Sequence, residues 1–219
     1  PGDTFLRANY AHLLSQAGRA TEAAAQWRAV LERNPFMPDA HANLGSLLCE
    51  SGQVAEAGPH LLKAVELDPD DPEAASTLGY ALVLAGDVPG GTAQIEDVVR
   101  RAPSLPGPRN NLGFAALCAG DSAGAIREWR EALRLDPGHV AAWANLGNAL
   151  AGQGQTEEAE ECLRRAVDLH PGLVRARVGL GDLLAARGDR TAALEQYREA
   201  GKLNPAFPGL AAKIARLAP

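Results

Sequence analysis

Proline recurs at residues 35, 69, 103, 137, 171 and 205, a step of 34 residues without insertion or deletion. Glycine keeps the same step at Gly18, Gly52, Gly86, Gly120, Gly154 and Gly188. Two interleaved ladders over six periods make this chain an array of one small unit. Such a period overrides a reading as an ordinary globular domain, because each unit touches only its neighbours.

One period shows what the unit is. In residues 140–173, Trp143, Leu146, Gly147 and Leu150 recur at three- and four-residue spacing, the apolar face of a helix. The stretch Gly152-Gln-Gly-Gln155 stops it, since glycine favours the end of a helix. Thr156 and the acids Glu157, Glu158 and Glu160 open a second helix, where carboxylates complement the positive end of the dipole. Ala159, Leu163 and Ala166 give its buried stripe, and His170-Pro171-Gly172 ends it. Each unit is therefore helix, turn, helix, short loop.

The copies agree where helices must touch. Ala11, Gly45, Gly79, Gly113, Gly147 and Gly181 fall mid-way along the first helix, and Ala23, Ala57, Gly91, Ala125, Ala159 and Ala193 early in the second. Small residues at both places let two backbones approach. Trp27, Leu61, Ile95, Trp129, Leu163 and Tyr197 supply the bulk from the second helix. Leu44, Leu78, Leu112, Leu146 and Leu180, with Tyr10 in the first copy, supply it from the first.

The period, the small–small pair, the large residue and the closing proline together resemble the tetratricopeptide repeat, most closely in Ala142-Trp-Ala-Asn-Leu-Gly-Asn-Ala149. The resemblance spans nearly the whole chain. It implies an all-α fold, a right-handed superhelical α-solenoid of antiparallel helix pairs. The repeats fall near 4–37, 38–71, 72–105, 106–139, 140–173 and 174–207, in one array over residues 1–219. Residues 208–219 read as a capping helix with Leu210, Ile214 and Leu217 inward and Lys213 and Arg216 outward. The aromatic that the family carries early in the first helix survives only as Trp143; Arg7, His41, Ala75, Arg109 and Arg177 replace it.

In this family the first helices line a concave groove that takes extended peptides. With Tyr10, Ala11 and Leu14 toward the core, Asn9, His12 and Gln16 point the other way, at about 100° per residue. Carried along the array, one row reads Asn9, Asn43, Thr77, Asn111, Asn145, Gly179. A second reads His12, Ser46, Tyr80, Phe114, Asn148, Asp182, and a third Gln16, Glu50, Leu84, Cys118, Gly152, Ala186. Amides both donate and accept, so the asparagine row can hold a peptide backbone without reading its sequence. In this it resembles the substrate-binding repeats of O-linked N-acetylglucosamine transferase. The row also fits a habit of local hydrogen bonding within the repeat. Tyr80 and Phe114, with Leu84 and Cys118 one turn away, form an apolar strip that suits a partner anchor or packing of these side chains on one another or on neighbouring helices. Arg175 is the groove's cation; without a groove lysine, clamping of a C-terminal carboxylate is disfavoured.

The middle of the array departs from the pattern. Gly90 and Gly91 stand early in a second helix, and Pro103, Pro106 and Pro108 crowd the next junction. The following helix should start near Pro108 and be short. A hinge between repeats three and four, or a neutral lapse in one copy, accounts for the cluster.

Chemistry is sparse. Net charge is −6 and no Lys/Arg-rich run occurs, against nucleic acid or an anionic membrane as partner. Arginine outnumbers lysine 18 to 3, the bias of a GC-rich bacterial genome. Cys49, Cys118 and Cys162 are odd in number and far apart, which favours a reducing compartment such as the cytoplasm and leaves the periplasm open. The chain starts with Pro1 rather than Met and reads as a processed or excised piece. His12, His41, His60, His139 and His170 lack ligand spacing, so no metal or cofactor is expected. No nucleophile–base pair stands out, so no catalytic residue is expected. The leading expectation is a non-enzymatic scaffold that binds a protein or peptide in its groove. The alternatives are the substrate-recruiting arm of a larger enzyme, such as a glycosyltransferase, and self-assembly into a homo-oligomer through the array ends or convex face.

Overall fold

A computed structural model describes residues 2–217. Those residues form thirteen helices and, among the described residues, no strand. They fall into two compact units, one ending at Gly124 and the next beginning at Ala125. The first holds α1 (Gly2–Gln16), α2 (Ala20–Arg33), α3 (Pro38–Glu50), α4 (Val54–Leu67), α5 (Pro72–Leu84), α6 (Val88–Arg101) and α7 (Pro106–Cys118). The second holds all but the first turn of α8 (Ser122–Leu135), then α9 (Val140–Gly152), α10 (Thr156–Leu169), α11 (Val174–Ala186), α12 (Arg190–Leu203) and α13 (Leu210–Leu217).

The ladders explain the joints. All six ladder glycines adopt positive φ, between 72° and 98°, where an L side chain would be strained. Beyond each of them the chain folds back onto the helix it has left. Arg19 N–H donates to Leu14 C=O at 2.9 Å, and Gln53 to Leu48, Asp87 to Leu82, Gln155 to Leu150 and Asp189 to Leu184 repeat the bond. This is the bonding that satisfies the orphan carbonyls of a helix end. Three residues then suffice to reverse the chain, and the paired helices run antiparallel.

The small residues set the spacing of the pairs. A Cβ on Gly45 would stand 2.5 Å from Leu61 Cγ, on Gly79 2.7 Å from Ile95 Cγ1, on Gly147 2.7 Å from Leu163 Cγ and on Gly181 2.5 Å from Tyr197 Cε1. The large residue of the second helix thus lies on the bare backbone of the first. Trp27, Leu61, Ile95, Trp129, Leu163 and Tyr197 are all essentially sealed from solvent.

Three expectations are corrected. Tyr10 does not join the core; it is 47% exposed, while Ala11 and Leu14 are buried. Its equivalents Leu44 and Leu180 are sealed because α2 and α10 pack on α3 and α11, and no described helix precedes α1. The helix after the proline cluster is not short: α7 starts at Pro106 and has 13 residues, like α3, α5, α9 and α11. Pro106 and Pro108 both fall in the first turn, where backbone N–H groups lack intrahelical acceptors, so neither breaks a bond. Residues 218 and 219 of the expected cap lie outside the described residues. Within α13, Leu210 is buried, but Lys213 turns inward to Asp182 rather than outward.

Candidate functional site

The expected groove residues lie on the first helices, and each unit holds its own share. In the first unit, α1, α3, α5 and α7 bring Asn9, Asn43, Thr77 and Asn111. Asn9 is exposed. The Asn43 amide donates to the Asp39 carbonyl one turn back at 2.6 Å, and the Thr77 hydroxyl does the same to Glu73 at 2.8 Å. Asn111 Nδ2 donates to Ser76 Oγ at 3.0 Å, across from α7 to α5, and its Oδ1 accepts from Asn110 at 3.3 Å. Ser76 is fully buried. Local bonding therefore engages Asn43 and Thr77, while Asn111 is held across to α5.

Tyr80 on α5 and Phe114 on α7 meet edge-to-face, ring centroids 5.0 Å apart at 69°. Both rings are half-buried, and Tyr80 and Leu84 rest on the core built by α1–α5. Phe114 rests on Val83, Ile95, Val99 and Ala115. The pair is thus rigidly backed and still partly open to solvent. The start of α7 lies against α5 as well: a Cβ on Gly107 would strike the Glu73 carboxylate.

In the second unit, Asn145 is half-buried and Asn148 exposed on α9. The Asn148 amide oxygen sits where a Cβ on Gly179 would fall, so α9 and α11 approach through that glycine. Arg175 is exposed at the start of α11. Asp182, on the second row, accepts from Tyr197 Oη at 2.6 Å and Lys213 Nζ at 2.5 Å, which ties α13 to α11 and α12. Burial, with that bond to Asp182, holds the Tyr197 hydroxyl well above its ordinary range.

An open cleft of about 640 Å³ lies elsewhere in the second unit, among α10 side chains, Trp143 and Arg187. Its Glu160 carboxylate is paired with Arg164 and Arg187, so its charge is largely satisfied. Burial pushes the Cys49 thiol up to about 11 and the Cys162 thiol up to about 12, which keeps both protonated and poorly nucleophilic at neutral pH. Among the described residues, no three His, Cys, Asp or Glu side chains converge to hold a metal ion, and no helix is long and apolar enough to cross a membrane.

A second set of polar contacts has the same period and was hidden in the sequence. In three repeats the side chain six residues after a ladder proline bonds that proline's carbonyl: His41 Nε2 to Pro35 at 3.1 Å, Trp143 Nε1 to Pro137 at 2.9 Å, Arg177 Nε to Pro171 at 2.8 Å. The same position reaches 19 residues on, from first helix to second. Arg7 donates to Gln26 at 3.2 Å, Arg177 to Gln196 at 3.2 Å, and His41 Nδ1 lies 2.9 Å from His60 Nδ1. Arg7, His41 and Arg177 in place of the family aromatic were the signal for the 19-residue contacts, while the retained Trp143 makes the proline contact through its indole N–H.

The tetratricopeptide-repeat family profile matches residues 11–72, 110–173 and 145–209, and the chain belongs to that family. Its members are generally protein-interaction scaffolds. No curated protein matches the chain. Among solved structures, TTC0263, a thermophilic tetratricopeptide-repeat protein of Thermus thermophilus, is similar with a TM-score of 0.72 at 23% identity, over 83% of this chain and 98% of that one. The APC/C hetero-tetramer Cut9–Hcn1 is similar with a TM-score of 0.76 at 16% identity, over 99% of this chain and 43% of that one. YrrB, a tetratricopeptide-repeat protein with an unusual peptide-binding site, gives 0.55 at 22% identity, over 87% and 97%. At these identities the likeness is one of fold.

Proposed function

We propose that this chain is a non-catalytic scaffold, six repeats in one array, that binds an extended peptide segment of a protein partner along its first helices. The observation that carries the reading is the Tyr80–Phe114 pair. Two aromatic rings in edge contact are backed by the core, partly open, and flanked by Thr77, Asn111 and Leu84 on the same face. Aromatic side chains that are pre-packed lose little entropy on binding and are the usual anchors of such surfaces. Thr77 spends one bond on its own helix, and Asn111 is engaged by Ser76 of α5 and by Asn110, yet an amide or hydroxyl oxygen has further capacity for a peptide N–H. The peptide-binding site of the similar fold in YrrB supports the same class of ligand.

The probe is a phage-displayed library of random linear peptides panned on the wild-type chain. The enriched peptides lose at least about tenfold in affinity, about 1.4 kcal/mol, on the Tyr80→Ala/Phe114→Ala double variant, with the far-UV circular dichroism unchanged. Equal affinity for both proteins overturns the assignment.

A further inference from the structure

The histidine pair at 41 and 60 stands in a place that the other pairs fill with groups that do not titrate near neutrality. In the first and sixth pairs an arginine donates to a glutamine, Arg7 to Gln26 and Arg177 to Gln196. In the third, Gln94 Nε2 bonds the Ala75 carbonyl at 2.9 Å. Only here, among the described contacts of this kind, are both partners imidazoles. His41 is 9% exposed and its Nε2 lies 3.1 Å from the Pro35 carbonyl, which fixes the proton there. The neutral His41 ring therefore offers a bare Nδ1, and His60 Nδ1–H donates to it over 2.9 Å.

Proton counting gives the behaviour of this contact. One added proton goes to His60 Nε2 and leaves the Nδ1–H···Nδ1 bond intact. A second proton has only His41 Nδ1 left to occupy. It would set N–H against N–H with two positive charges in adjoining rings whose centroids are 5.1 Å apart. The charged groups around His60 do not rescue it: Glu56, one turn back on α4, favours charge, but it is bonded to Arg28 of α2 at 2.8 Å, and Arg28 opposes it. The second helix is also weak at this spot. Pro59 stands inside α4, immediately before His60, and removes one intrahelical N–H.

We infer that the second helix pair is a proton-sensitive joint, in which the His41–His60 contact holds α4 to α3 until both rings are charged and then parts. Burial, then the neighbouring ring, lowers the His60 pKa in the folded chain. Neutral His60 therefore contributes stability that is complete above the ordinary value of 6.5 and declines as the pH falls through its lower folded value; the first proton weakens the fold and the second parts the contact.

The test replaces the pair by the array's own non-titrating solution, His41→Arg/His60→Gln, with the single His60→Gln as a second variant should the double fold poorly. Thermal midpoints are read from about pH 7.5 down to about pH 5. The wild-type midpoint should fall by about 2–4 °C more than that of either variant, and amide exchange corrected for its intrinsic rate should quicken in residues 38–67. Parallel midpoint curves for wild type and variants, or acceleration confined to other helices, overturn the inference.

Discussion

Gly91 and Gly201 are both helical glycines, and their surroundings give them opposite roles. A Cβ on Gly91 would strike the Gly79 carbonyl oxygen and stand 2.6 Å from Val83 Cγ2. The first obstacle is backbone, so α5 and α6 would have to part. Gly91→Ala should destabilise the chain by about 1–3 kcal/mol, despite a helix-propensity gain of about 1 kcal/mol; urea unfolding measures it. At Gly201 the nearest atom is Leu210 Cδ2 at 3.7 Å, an ordinary contact. Gly201→Ala should stabilise by about 0.5–1 kcal/mol. Gly90 differs: its Cβ would meet only the Asp87 carboxylate that caps its own N–H at 3.0 Å, and the equivalent cap of Asp189 tolerates Ala192 at that place. Of the double glycine, Gly91 is thus the packing requirement of its pair. Sequence alone showed two helix-weakening residues, because the α5 backbone that demands Gly91 lies outside the local pattern.

At the scale of helices, caps and burial follow register. Asp189 accepts from Ala192 N–H at 3.0 Å, and Asp189→Ala should cost about 1 kcal/mol, seen as a lower denaturation midpoint. Leu13 and Leu47 hold the same place in successive first helices, yet Leu13 is 62% exposed and Leu47 is 8% exposed. Leu47→Ala should cost about 2–5 kcal/mol, whereas Leu13→Ala should change stability by less than about 0.5 kcal/mol. Helix order and the small–large packing were legible in the sequence because one 34-residue period repeats every contact. The exposure of Tyr10 was not, since its pattern is that of a core residue and only the absence of a covering helix among the described residues leaves it open. Nor was the inward turn of Lys213, which depends on Asp182 lying 31 residues away in sequence.

Across the whole molecule, each unit carries a chemically distinct first-helix face. The first holds the Tyr80–Phe114 pair with Asn43, Thr77, Leu84 and Asn111; the second holds Asn145, Asn148 and Arg175. The rows on which these residues lie could be read from the period, because a fixed step fixes which side chains share a face. Their bonding could not: Asn111 is held by Ser76 of another helix, and the aromatic pair packs on itself while staying open at its edge. If the ligand-binding surface is the first-helix face around that pair, a bound peptide must shield the helices that carry it. Hydrogen exchange of the wild-type chain, free and saturated with a library-selected peptide, reads that shielding. Slowed exchange is expected in α5 and α7, residues 72–84 and 106–118. Protection confined to second helices such as α6 or α10, with α5 and α7 unchanged, would put the ligand on another face and refute the assignment.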